Sequence, residues 1–195
     1  MMNNTNNTNN NRNHTSKARI DEWRKRCEYY ASQNPHQIAV EGVDSGAFGK
    51  AAEMRASEFF GCVRGKFVKK QGQKDLVKTI NGKRVVFEIK TGAPQIACPF
   101  PFDAEIPDLL EFFPNVDYFI YCPYFYPTAP IEKIAVVVPA RAFAAICTGK
   151  LKHCRTRAKS GAVPKINTNS NFADWFIANH IDAYLTLEQW YNMNK

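Results

Sequence analysis

Asp75, Glu88 and Lys90 share one short stretch, GQKDLVKTINGKRVVFEIKTG, from Gly72 to Gly92. Asn81-Gly82 at its centre predicts a two-residue hairpin turn, because both residue types tolerate the positive φ of a type I′ turn. Register then follows: Ile80 faces Lys83, Thr79 faces Arg84, Val77 faces Val86 and Asp75 faces Glu88. That last pair falls among the non-hydrogen-bonded pairs, where Cβ atoms stand roughly 4.5–5.5 Å apart. Two carboxylates so placed repel, and a divalent cation is the simplest group to offset the repulsion, since hard cations take oxygen ligands. Strand periodicity puts Lys90 on the face of Glu88. The competing reading is that Asp75 and Glu88 are solvated strand ends and Lys90 merely neutralises them.

The hairpin carries Val77 and Val86 on this side and Leu76, Phe87 and Ile89 on the other. Strands apolar on both faces are covered on both sides, so the hairpin is expected in the interior of a sheet. A helix over Ala47 to Phe60, begun at Ser45 or Gly46 and closed by Gly61, precedes it. Glu53 lies on that helix among small and apolar residues, where an inner-edge acid can reach the sheet. Between the two, Cys62 to Lys70 (CVRGKFVKK) reads as a basic strand.

Residues 1–17 are an Asn-rich tail whose low-complexity part, 1–16, is expected to be disordered, since it has little apolar surface to bury. A helix follows over 18–33 and ends at Asn34-Pro35. Four prolines make 93–107 an irregular loop by expectation, with a short helix over Asp108 to Phe113. Asp117 to Cys122 and Ile134 to Val138 read as buried strands, and Pro139 suits the opening of a helix, Ala140 to Cys147. Helices are expected over Phe172 to His180 and Leu185 to Tyr191, the latter with Thr186 as N-cap. Residues 18–195 thus form a single domain, with a core of about 45–147, a basic loop at 150–165 and C-terminal helices within 171–192. Its fold class is α/β, a mixed β-sheet flanked by helices.

The net charge is +8, which suits an anionic partner, nucleic acid first. Between residues 150 and 165 the chain carries Lys150, Lys152, Arg155, Arg157, Lys159 and Lys165 without an acid, a candidate contact for a phosphate backbone. The six cysteines form no CxxC, and Cys147 with His153-Cys154 fits no common zinc spacing. No apolar run reaches the roughly 18 residues of a membrane span, and no signal peptide is visible. The expectation is a cytoplasmic protein with free thiols and no membrane partner.

Asp75, twelve intervening residues and Glu88-Ile89-Lys90, preceded by a helix bearing Glu53, resemble the PD-(D/E)xK phosphodiesterase superfamily, the restriction-endonuclease-like nucleases. Lys74 stands where the motif's name has proline, a position that varies widely in the superfamily. The resemblance implies a restriction-endonuclease-like fold and Mg²⁺-dependent cleavage of DNA, with Mn²⁺ as a substitute and RNA as a second substrate. It implies Asp75, Glu88, the Ile89 carbonyl and Glu53 as metal ligands, and Lys90 as the residue that positions the attacking water. A homodimer would accord with cleavage of both strands, and phage or mobile-element nucleases belong to the same group. The alternatives are a nucleic-acid-binding module that keeps the fold without catalysis, and a phage or plasmid accessory protein contacting partners through Tyr121 to Pro127 (YCPYFYP).

Overall fold

The computed structural model describes residues 7–33, 45–61, 75–92, 95–97, 115–148, 151–152, 165–168 and 171–195. At its centre the Asn81-Gly82 turn has φ of 48° and 75°, the left-handed pair that a type I′ turn requires. It joins β1 (Leu76–Ile80) to β2 (Lys83–Thr91). The register is the expected one, with Ile80 opposite Lys83, Val77 opposite Val86 and Leu76 opposite Phe87. β2 pairs in parallel with β4 (Tyr118–Cys122), which pairs antiparallel with β5 (Val136–Pro139). The result is a four-stranded mixed sheet in the order β1-β2-β4-β5.

Helices cover both faces, and each strand's alternation decides what meets which. Phe87 and Tyr118 point to one side. There Phe87 meets Phe60, at the end of α2 (Ser45–Phe59), and Phe87 and Tyr118 both meet Trp190 of α6 (Leu187–Asn194), with centroids 5.0–5.5 Å apart. Phe119 and Tyr121 point to the other side. They meet Phe143 of α4 (Ala140–Thr148), and Tyr121 also meets Phe172 and Phe176 of α5 (Phe172–His180). Each ring taken fully out of water stabilises the fold by roughly 1.5–3 kcal/mol. Offset and edge-on ring pairs add to this. α1 (Asn7–Ser32) lies along α5 and the single turn α3 (Ile131–Ile134). Arg24 pairs with Asp174 at 3.2 Å, and Arg26 donates to the Lys133 carbonyl. Thr186 and Gln189 form a complete capping box at the start of α6.

Three expectations need correction. Helix α1 starts at Asn7, inside the segment assigned to disorder; propagating a helix from a docked segment is far easier than nucleating one. Ile134 ends α3 and does not belong to β5, because Pro130 fixes φ at −63° and starts a helical turn. Pro139 ends β5, and α4 begins at Ala140 as expected. The Pro-rich loop and the basic loop are not irregular throughout. Gln95–Ala97 (β3), Leu151–Lys152 (β6) and Lys165–Thr168 (β7) form a second, antiparallel sheet in the order β3-β7-β6. The expected strand over 62–70 and helix over 108–113 lie outside the described residues. Among the described residues no helix is long and apolar enough to cross a membrane.

Candidate active site

The site is built at the end of β2, from one residue outward. Along β2 the even residues direct their backbone groups toward β4: Val86 accepts from the Asp117 N–H and Gly92 donates to the Cys122 carbonyl. The odd residues therefore face β1. β1 begins only at Leu76, two residues short of the position that this register would set opposite Ile89. The Asp75 side chain fills the gap, its Oδ2 accepting from the Ile89 N–H at 2.8 Å. The Ile89 carbonyl is directed to this same edge by the strand's geometry. Asp75 is 2% exposed.

Glu88 follows the ladder's register into the position opposite Asp75 and is 8% exposed. Its Oε1 accepts from Lys90 Nζ at 2.7 Å. Both side chains point to the α4 face, beside Phe119 and Tyr121, their in-register partners on β4. Among the described residues only four polar or charged side chains are buried: Ser57, Asp75, Glu88 and Thr186. Burying a carboxylate is costly unless it is hydrogen-bonded or paired, so the two that the sequence singled out are also the costliest of the four. The expectation of solvated strand ends is excluded by their burial.

Glu53 stands apart. α2 runs antiparallel to β2, since its early Phe48 meets Phe125 beyond β4 and its end meets Phe87. Seven residues back from Phe60, about 10 Å along the helix, Glu53 is level with Ile89 and Lys90. It is half-buried and rides on the helix covering the opposite face from Glu88. Among the described residues no three His, Cys, Asp or Glu side chains gather into a group that could hold a metal. The structure thus brings Asp75, Glu88, Ile89 and Lys90 together and leaves Glu53 out of that cluster.

The remaining set fits a hard cation in kind, because two carboxylates and an aligned carbonyl edge are all oxygen donors. Of the basic residues, Lys152 falls on β6 and Lys165 opens β7. Lys150, Arg155, Arg157 and Lys159 lie outside the described residues. The aromatic loop after β4 is tied down. Tyr124 donates to Asp174, Arg24 lies over the Tyr124 ring, Phe125 meets Phe48, and Arg55 donates to the Pro127 carbonyl. Desolvation, with the Asp174 contact, pushes the Tyr124 hydroxyl up to about 12.

Two residues of the site were not singled out from the sequence. Asp117 Oδ2 accepts from the Val86 N–H at 2.8 Å, a second aspartate supplementing the β2 ladder. Tyr121 stands beside Lys90 and donates to the Gly92 carbonyl. Both depend on the parallel β2–β4 pairing, which no local signal encodes. Comparison of the chain with protein-family models, curated proteins and solved structures returns no match.

Proposed function

We propose that the protein is a metal-dependent nuclease of the PD-(D/E)xK kind that hydrolyses phosphodiester bonds in DNA. The observation that carries this reading is the burial of Asp75 and Glu88, at 2% and 8% exposure, at the open end of the β1–β2 hairpin with Lys90 on Glu88. Asp75, Glu88 and the Ile89 carbonyl would hold Mg²⁺ or Mn²⁺. A bound divalent ion supplies a more acidic water and neutralises charge on the phosphate oxygens.

The chain's own residues do the rest. The Ile89 N–H fixes one Asp75 oxygen and so sets the carboxylate's orientation. Glu88 holds the Lys90 ammonium 2.7 Å away, next to the place where a water would be deprotonated. There the ammonium orients the nucleophile and offsets the negative charge that grows on the phosphate.

Supercoiled plasmid is the direct substrate. Cleavage is expected with Mg²⁺ or Mn²⁺ and not with EDTA, and Lys90→Ala and Glu88→Gln should be inactive while folded. Parental cleavage by either variant would sink the assignment. A single-stranded DNA and an RNA of the same sequence, run alongside, decide the substrate class. A second reading has its own support: Asp75 caps a backbone N–H, as Asp117 does, so the cluster is chemically sufficient as a structural device. In that case the protein binds nucleic acid without cutting it. Binding that weakens steeply with salt, with no cleavage under any metal, is the outcome that favours it.

A further inference from the structure

Tyr121 is fully buried, 0% exposed, with Phe143, Phe172 and Phe176 around its ring at 4.6–5.8 Å. A phenylalanine would fill that space without desolvating a hydroxyl, which is costly to bury unless bonded. The hydroxyl donates to the Gly92 carbonyl at 2.6 Å. Gly92 has φ of 56°, and its N–H donates to the Cys122 carbonyl at 3.0 Å. The chain is therefore held on both sides of one residue, Gly92, two residues beyond Lys90.

Tyr121 is also the residue in register with Lys90 across β2 and β4, about 4.8 Å away on the same face. The side chain that walls the Lys90 stem is the one that fixes the backbone just past it. We propose that Tyr121 is a positioning residue for Lys90, holding the end of β2 so that the ammonium stays on Glu88 and over the reacting phosphate. This rests on the nuclease reading above. Small displacements of a reacting group cost large factors in rate, whereas substrate binding along the DNA is unaffected by them.

The test is steady-state cleavage kinetics on four variants. Tyr121→Phe removes one oxygen and is expected to lower kcat about tenfold with KM unchanged. Gly92→Val attacks the same clamp from its other end. No neighbouring atom lies within 4 Å of an added Cβ, so its effect is to strain φ and displace the carbonyl, and it should also lower kcat at constant KM. Phe143→Leu loosens the packing of the Tyr121 ring but leaves the hydroxyl bond. It should lower the thermal midpoint and keep kcat within about twofold. Parental kcat in Tyr121→Phe overturns the inference, as does a kcat loss in Phe143→Leu equal to that of Tyr121→Phe. Should Tyr121→Phe not fold, parental kcat in Gly92→Val overturns it. Lys90→Ala separates the two levels. If it cuts, the nuclease reading fails; if it is dead while Tyr121→Phe is parental, only the positioning role fails.

Discussion

Two aspartates flank β2 and do the same backbone task. Asp117 gives an oxygen to the Val86 N–H on the β4 side, and Asp75 gives one to the Ile89 N–H on the β1 side, both at 2.8 Å. Asp117 is exposed to solvent, whereas Asp75 is 2% exposed. A strand-end hydrogen bond therefore does not require a buried carboxylate, because Asp117 makes one in water without the desolvation cost. The burial of Asp75 next to Glu88 and Lys90 is what the shared backbone role leaves unexplained, and the proposed metal-dependent site would account for it.

The largest separation between the two should appear in cleavage. Asp75→Asn keeps an acceptor for the Ile89 N–H but removes the charge, and should cut plasmid DNA at least about 100-fold more slowly. Asp117→Asn should cut like the parent. Equal rates in the two variants would return Asp75 to a purely structural role. Next comes stability, read by urea denaturation. Asp75→Ala leaves a buried N–H without its acceptor and should cost about 1–3 kcal/mol. Asp117→Ala exposes its N–H to water and should cost about 0.5–1 kcal/mol. A reversed order would mean that burial at Asp75 is relieved on truncation.

The smallest effect is a correction to any acid titration of that difference. Burial lowers the pKa of His180 below its usual 6.5. The unfolded chain then binds more protons than the folded one just below pH 6.5. His180 thus contributes stability that is complete above that pH and lost as pH falls through its folded value. With a ring only partly buried, the effect is small. Denaturation of His180→Asn between pH 5 and 7 should lack this slope.

How much of this was legible in the sequence depended on the range of the signal. The hairpin, its register and the pairing of Asp75 with Glu88 follow from Asn81-Gly82 alone, since a two-residue turn leaves one alignment. The capping box at Thr186 and Gln189 is equally local. The roles of Asp117 and Tyr121 are not, because a parallel neighbour arrives through a long crossover and its register is set by packing. The second sheet was missed for another reason: strands of two to four residues, among prolines or lysines, show no periodicity to read. Glu53 was placed correctly along its helix, but which face of the sheet that helix covers is a tertiary fact.

The clasp between α1 and α5 bears on the order in which the molecule assembles. Arg19 donates to the Ala178 carbonyl at 3.0 Å and Arg24 pairs with Asp174, partners more than a hundred residues apart. The hairpin closes over a few residues, whereas this contact must wait for most of the chain to be in place. The prediction is that α1 docks late, after the rate-limiting barrier, onto a sheet that already exists. Arg24→Ala should then speed unfolding and leave refolding nearly unchanged in stopped-flow denaturant jumps. A slowed refolding arm would place the two helices together from the start.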